Sequence, residues 1–205
     1  MNAAARATGA QFSGLRLLPH PAAPAAAAVT ALSVSGSIDA AGSLQLVFEL
    51  LADLQALRMP PPAATPARCD GLWRHSCFEA FARRGADRRY LEFNFATSGD
   101  WAAYEFSDCR QGQAALAQSD LSVTALQAAP DRLLLRARAD LSALSSANDR
   151  SAAAAPWHFN LAAVLEDHNG ALSYWALHHP CALPDFHDVR GFRLELPPPP
   201  LATKA

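Results

Sequence analysis

An acidic residue in an apolar setting is the first candidate for chemistry in this sequence. Glu79 lies between Cys77 and Phe81 on one face of a run in which residue character alternates. A carboxylate on such a face is costly to bury unless a donor or a cation satisfies it. That donor could be structural, an arginine or a backbone amide, or it could belong to a ligand. Trp73 stands six residues before Glu79, and it could pack across an edge of the fold or form a platform for a ligand.

A second group of candidate residues, near the end of the chain, is rich in metal-ligand types. Imidazole and carboxylate groups suit zinc or a similar metal. Adjacent histidines on an extended segment point to opposite sides, however, and two prolines interrupt this segment. We therefore predict solvated loop histidines and no metal site. The residues concerned are His178, His179, Asp185, His187 and Asp188.

Catalytic motifs are not recognisable in the sequence. There is no GxSxG nucleophile elbow and no glycine-rich phosphate loop. Glu79 and Asp188 are candidates for a pair of catalytic carboxylates, but the sequence does not give their separation. Four cysteines without paired spacing predict free thiols and a reducing compartment. They are Cys69, Cys77, Cys109 and Cys181.

Three consecutive runs with a period of two must position Trp73 and Glu79. Aromatic and polar residues alternate between residues 70 and 106, and the alternation is broken at Arg-Gly-Ala-Asp and at Ser-Gly-Asp. This pattern predicts an antiparallel meander of three strands joined by short turns. Tyr90, Glu92 and Asn94 share one face of the second strand. Aromatic residues on both faces favour a sandwich over a sheet that is open to water.

The rest of the chain adds further short alternating runs and no long helical period. Residues 32–38 and 44–50 read as a hairpin, and Asn169-Gly170 is a strong hairpin signal before residues 172–177. We predict an all-β fold, a two-sheet antiparallel β-sandwich with about ten strands. The tryptophans beyond Trp73 should belong to the core. They are Trp101, Trp157 and Trp175.

The length of 205 residues indicates a single domain. We predict a flexible N-terminus at residues 1–13, the sandwich domain at residues 14–197 and a proline-rich tail at residues 198–205. A net charge of −2 does not favour nucleic acid, and no apolar run is long enough to cross a membrane. Three prolines between residues 19 and 24 interrupt the N-terminal region, so we expect no secretory signal and a cytoplasmic location. Nothing in the sequence identifies a protein partner.

Four segments, in their order along the chain, resemble the DOMON-like group of proteins. The segments are GLWRHSCFEAF, YLEFNF, WHFNL and PDFHDVRGFRLEL. DOMON-like domains are β-sandwiches related to family 9 carbohydrate-binding modules, and the resemblance covers residues 44–196. It implies an immunoglobulin-like or jelly-roll-like sandwich, with relatives that bind sugars or haem. The haem-binding relatives hold the iron with a methionine together with a histidine or lysine. Haem is not expected here, because Met59, the only methionine after the first residue, is next to Pro60 in a predicted loop.

The resemblance also implies a set of ligand-binding residues. In sugar-binding relatives a tryptophan stands six residues before a glutamate, as Trp73 and Glu79 do. Asn94 corresponds to a polar residue on the next strand. Phe186, which is followed by His187, corresponds to a second aromatic clamp in the last loop.

We predict a non-catalytic module that binds a carbohydrate, without a cofactor, through an aromatic platform and polar edge residues. Ala162 stands where the relatives have a further polar residue that contacts the sugar. The resemblance therefore predicts the fold better than it predicts the sugar specificity. Two alternatives are a metal-dependent or carboxylate-based hydrolase, which would use Glu79 or the loop at 185–188, and a protein-interaction domain with no small ligand. A groove between Trp73 and Phe186 would favour the sugar-binding hypothesis. Histidines that converge on one point would favour a metal site, and a flat, closed face would favour a protein partner.

Overall fold

The computed structural model describes residues 9–23, 28–117, 121–144 and 155–198. Within these ranges the chain forms thirteen β-strands and four 3₁₀ turns, and none of it is α-helical. The predicted all-β class is confirmed. The strands outnumber the expected ten because some, such as Leu18–Pro19 and Ala114–Ala115, have two residues and cannot show alternation. No helix in these ranges is long and apolar enough to cross a membrane.

The first sheet has five strands, and every neighbouring pair in it is antiparallel. Its strands are β1 (Ala10–Arg16), β3 (Val29–Ile38), β4 (Ser43–Ala52), β9 (Ser122–Ala129) and β10 (Arg132–Asp140). Their spatial order is β1-β3-β4-β10-β9, so the predicted hairpin of β3 with β4 is confirmed. Because β1 begins at Ala10, the folded part starts before residue 14, the predicted boundary. The ends at residues 1–8 and 199–205 lie outside the described residues.

The second sheet has eight strands and is also antiparallel. Its strands are β2 (Leu18–Pro19), β5 (Cys77–Arg84), β6 (Tyr90–Phe95), β7 (Trp101–Phe106), β8 (Ala114–Ala115), β11 (Trp157–Glu166), β12 (Leu172–Ala176) and β13 (Leu194–Leu196). Their order is β2-β12-β11-β5-β6-β7-β8, and β13 pairs with β11. The predicted three-strand meander is β5, β6 and β7, and the Asn-Gly turn joins β11 to β12.

The main core lies between the two sheets. Alternation along each strand sends one set of side chains inward, so that Phe48 of β4 meets Phe78 of β5 at 5.3 Å between ring centroids. Trp157 and Trp175 are buried in this core, and Trp101 packs against it with partial exposure. The core role predicted for these three tryptophans is therefore confirmed.

The outer face of the second sheet carries a smaller hydrophobic cluster that no third sheet covers. Phe81 and Tyr90 belong to this cluster and come from β5 and β6. Phe186 and Phe192 reach it from the segment between β12 and β13, residues 177–193, which we call the closing loop. The outer face of this sheet is thus buried by loops, and loops leave room for a cavity.

Candidate functional site

A cavity of about 530 Å³ lies over the outer face of the second sheet. Its aromatic lining residues are Trp73, Phe106, Tyr174 and Phe186. Its charged and polar lining residues are Arg74, Glu79, Glu92, Arg110, Gln113 and His187. Pockets of this size and mixed character are typical of small-molecule sites.

Four of the five residues predicted from the sequence line this one cavity. They are Trp73, Glu79, Phe186 and His187. Trp73 comes from the loop before β5, Glu79 from β5 itself, and the other two from the closing loop. The fold therefore brings together residues more than 100 positions apart in the chain, from 79 to 186.

Trp73 is a surface residue that a tightly anchored loop holds in place. Gly71 adopts a left-handed φ of 80°, and the 3₁₀ turn Leu72–Arg74 follows it. The indole is 50% exposed, which is incompatible with a core role. The guanidinium of Arg74 lies 5.3 Å from the centroid of the Trp73 ring. The loop thus presents a half-exposed aromatic ring to the cavity.

Hydrogen bonds fix this loop on both sides of Trp73. On one side the Tyr104 hydroxyl donates to Asp70 Oδ1 at 2.6 Å. On the other, His75 Nδ1 lies 2.8 Å from Glu166 Oε2, and the backbone amide of Glu166 donates to Ser76 Oγ at 3.0 Å. A platform anchored in this way loses little conformational entropy when a ligand binds.

Glu79 lies in the middle of the cavity floor and is only 3% exposed. Its strand is central in the sheet, and its cross-strand neighbours are Asn94 and Ala162. The Oε1 atom is buried and has no hydrogen-bond partner among the described residues. Burial, and secondly the negative charge of Glu92, raise the pKa of Glu79 well above its usual range. The structural partner that a buried carboxyl requires is therefore missing.

Asn94 is the one predicted ligand-binding residue that does not line the cavity. Its side chain is completely buried, and it donates from Nδ2 to Glu92 Oε1 at 2.6 Å. Its Oδ1 accepts a weak hydrogen bond from the Cys77 thiol at 3.5 Å. The prediction of a direct contact is corrected in this respect: the amide is used to orient Glu92, which does line the cavity.

His187 is held by Tyr90 in a defined orientation. The backbone amide of Arg110 donates to the Tyr90 hydroxyl at 3.2 Å, so the hydroxyl proton is free to go to His187 Nδ1, 2.7 Å away. The other ring nitrogen, Nε2, lies 3.8 Å from Glu92 Oε2. Burial, followed by the charge of Arg110, lowers the pKa of His187 to about 4, against the opposing effect of Asp185. The ring is neutral at pH 7.

Phe186 forms a wall of the cavity and is mostly buried. Its backbone carbonyl accepts a hydrogen bond from Asn160 Nδ2 at 2.9 Å. Its ring lies 6.4 Å from that of Phe81 and 6.2 Å from that of Tyr174, measured between centroids. The closing loop is therefore tied to the sheet at the residue that faces the ligand space.

Two of the candidate metal ligands of the closing loop, His179 and Asp188, are engaged in separate contacts. His179 Nε2 lies 2.8 Å from the Leu18 carbonyl oxygen. Asp188 accepts from Arg190 at 2.7 Å and does not line the cavity. Within the ranges that the structure describes, no three ligand-type side chains converge in a way that could hold a metal ion. The carboxyl group that acts on Glu79 is that of Glu92, and the Glu79–Asp188 pair considered from the sequence does not occur in this cavity.

Several lining residues were not singled out from the sequence. Glu92 had a visible signal, because it shares a strand face with Asn94 and alternates with apolar residues. Tyr174 was recognisable only as part of a strand. Arg110 and Gln113 lie in an irregular segment after β7, where no periodicity indicates which side chains face a cavity.

Comparison with known proteins gives a likeness at the level of the fold. No sequence-family model and no curated protein matches this chain. Among solved structures, the chain is similar to a "putative carbohydrate-binding protein" from Bacteroides uniformis, with a TM-score of 0.52 and 15% identity over 79% of this chain and 77% of that one. It is also similar to a family 9 carbohydrate-binding module from Caldicellulosiruptor kristjanssonii in complex with cellotriose, with a TM-score of 0.46 and 12% identity over 84% and 74% of the two chains. The fold that the sequence resemblance implied is confirmed by the first of these structures.

Proposed function

We propose that this protein is a non-catalytic carbohydrate-binding module whose binding site is the cavity beside Trp73. The observation that carries the proposal is the presence, in one cavity, of a half-exposed tryptophan and a buried carboxyl group without a partner. A sugar ring has an apolar face of C–H groups and an edge of hydroxyls. The indole of Trp73 suits the face, and the Glu79 carboxyl suits the edge.

The arrangement of the other lining residues supports the same ligand class. Glu92 and His187 stand close to each other on the polar side of the cavity, at 3.8 Å, and are held by Asn94 and Tyr90. Polar groups that are fixed before binding give orientation and specificity at a small entropic cost. The first structural neighbour, described as carbohydrate-binding, has the same fold, which is a supporting analogy only.

The two alternatives have weaker support. A protein-interaction face is expected to be flat, whereas this site is concave. A carboxylate-based glycosidase assigns different protonation states to its two acids, with one raised in pKa and the other ionised. Here burial raises the pKa of both Glu79 and Glu92. We therefore favour binding without catalysis.

The test is the variant Trp73→Ala, titrated by calorimetry with glucose, cellobiose and cellotriose. We expect the loss of the aromatic platform to weaken binding by about 2 kcal/mol, which is typical of an anchor residue in a small site. Because the indole is half-exposed, thermal stability should change much less than the roughly 3–5 kcal/mol that deletion of a buried tryptophan costs.

The matched control is Leu126→Ala, which truncates an exposed apolar side chain on β9 of the other sheet. This variant should bind as the natural protein does. The proposal fails if neither these three sugars nor their amino-substituted counterparts bind the natural protein. It also fails if Trp73→Ala lowers the melting temperature strongly while affinity in the folded fraction is unchanged.

A further inference from the structure

The floor of the cavity has two buried carboxyl groups. Glu79 and Glu92 are 3% and 5% exposed. Glu92 lies on β6 opposite Phe81, two positions along β5 from Glu79, so the two acids are diagonal neighbours on one sheet face. Among the described residues, no arginine or lysine forms an ion pair with either acid.

The three basic side chains at the cavity do not supply the missing charge. His187 is 3.8 Å from Glu92, but burial lowers its pKa to about 4 and the ring is neutral. The charge of Arg110 lowers the pKa of Glu92, but its guanidinium is bound to Asp185 Oδ1 at 2.7 Å. Arg74 lies over the ring of Trp73. Neither arginine therefore forms an ion pair with the acids of the floor.

The walls are also suited to a cation. Trp73, Tyr174 and Phe186 line the same space as the two acids. The face of an aromatic ring is electron-rich and attracts a nearby ammonium group, most strongly where water is excluded. Carboxyl groups below and aromatic rings around form an environment that favours a positively charged ligand group over a neutral one.

We propose that the preferred ligand is an amino sugar whose protonated amine lies between Glu79 and Glu92. This inference rests on the proposed function and names the class of sugar. An ammonium group has three N–H donors and one positive charge, so it can satisfy Oε1 of Glu79 and Oε2 of Glu92, and its charge favours the ionised form of these acids, which burial alone disfavours. A hydroxyl has one donor and no charge, and an N-acetyl group has one donor and added bulk.

The experiment compares three β-1,4-linked disaccharides that differ only at carbon 2. These are cellobiose with a hydroxyl, the glucosamine dimer with a free amine, and its di-N-acetylated form. Titration of the full chain at pH 6.5 should give an affinity for the glucosamine dimer at least about tenfold higher than for the other two, the effect of a charge-assisted hydrogen bond.

Two glutamate-to-glutamine variants then locate the effect. Glu79→Gln keeps the shape of the side chain but cannot become negatively charged beside an ammonium group, so affinity for the glucosamine dimer should fall at least about tenfold more than affinity for cellobiose, which loses only a neutral hydrogen-bond partner. Glu49→Gln makes the same charge change on the other sheet, where Glu49 pairs with Arg132 at 2.6 Å, and should alter neither affinity. Thermal unfolding verifies that both variants are folded.

The outcomes separate this inference from the proposed function. If cellobiose binds as tightly as the glucosamine dimer, or if Glu79→Gln weakens both sugars equally, the amine preference is refuted and the carbohydrate site stands. If none of the disaccharides binds, both proposals are refuted. An amine preference that survives in Glu79→Gln also refutes the assignment of the ammonium group to Glu79.

Discussion

The two faces of the second sheet are built from the same strands but have opposite character. On β5 and β6 the inward residues are apolar except Arg84, which ends β5 and lies over the ring of Trp157. The apolar ones are Phe78, Ala80, Ala82, Leu91, Phe93 and Phe95. The outward residues of the same strands include two acids and an amide: Cys77, Glu79, Phe81, Tyr90, Glu92 and Asn94. Both faces are buried, so burial alone does not distinguish them.

What covers each face accounts for the difference. The inward face packs against another sheet, where interdigitated side chains fill the space and a polar group would have no donor. The outward face is covered by the closing loop and by the loop that carries Trp73, and these loops leave a cavity of about 530 Å³. Buried acids on the outward face add nothing to the packing of the fold. Their presence there supports the binding role proposed above.

The largest expected effect comes from the inward face. Phe93→Ala removes a completely buried ring that stacks with Phe95 at 6.4 Å between centroids. We expect it to lower the free energy of unfolding by about 3–5 kcal/mol, because a cavity remains in a close-packed core. Urea unfolding measures this loss. The contrast between the two faces is contradicted if Phe106→Ala, on the outward face beside the cavity, lowers the free energy of unfolding by the same amount.

A smaller effect is expected from a single hydroxyl on the outward face. Tyr90→Phe leaves His187 Nδ1 and the backbone amide of Arg110 without their common partner. The loss of stability should be about 1–3 kcal/mol, the cost of polar groups that are buried and unsatisfied. Thermal or urea unfolding gives the value.

Tyr174→Phe is the matched control, because its hydroxyl makes no hydrogen bond within the described ranges and its deletion should be nearly neutral. Equal losses in the two variants would mean that the bond from Tyr90 to His187 does not hold the closing loop.

The smallest expected effect, taken over one pH unit, is a pH dependence that belongs to Glu79. Burial raises the pKa of this carboxyl in the folded state above its ordinary value of 4.5, so the folded protein keeps a proton that the unfolded chain has lost. Its contribution to stability therefore falls as the pH rises above 4.5 towards the raised pKa, by at most about 1.4 kcal/mol per pH unit. The stability of Glu79→Gln relative to the natural protein should thus increase with pH.

Urea unfolding from about pH 5 to about pH 8 measures this difference, and it isolates Glu79 from the opposite trend of His187. The folded-state pKa of His187 is lowered, so its contribution to stability rises with pH between about 4 and its ordinary value of 6.5. That trend is common to the natural protein and to Glu79→Gln, so it cancels in the difference between their free energies of unfolding. A difference that stays constant with pH would mean that Glu79 is ionised in the folded state.

The strands were predictable wherever local pattern and tertiary packing agreed. Alternation from residue 77 to 106 indicated β5, β6 and β7, because each is buried on a defined face. The Asn-Gly turn indicated the hairpin of β11 and β12 for the same reason. The two-residue strand β2 was not predictable, because it exists only through its pairing with β12, a segment far along the chain.

The site was predictable in part. Trp73 and Glu79 have a recognisable spacing, and both reach the cavity. Asn94 was assigned to the ligand through the resemblance, because it corresponds to a polar residue on the next strand of sugar-binding relatives. Neither that correspondence nor the alternation along the strand tells which residue of the face remains uncovered. Arg110 adopts a left-handed φ of 54°, a conformation that its residue type gives no reason to expect. Its place beside the cavity follows from long-range contacts with Tyr90 and Asp185.

The order of strands in the second sheet has a consequence for how the chain is made. The first sheet is complete once Asp140 has been synthesised, because β10 is its last strand. The β5 strand, in contrast, waits for β11 at Trp157–Glu166 before its second edge is paired. Such distant pairings form slowly, and an open strand edge is a site at which nascent chains associate. The ligand cavity is therefore the last region to assemble, and chains that stop before β11 should aggregate through the edge of β5.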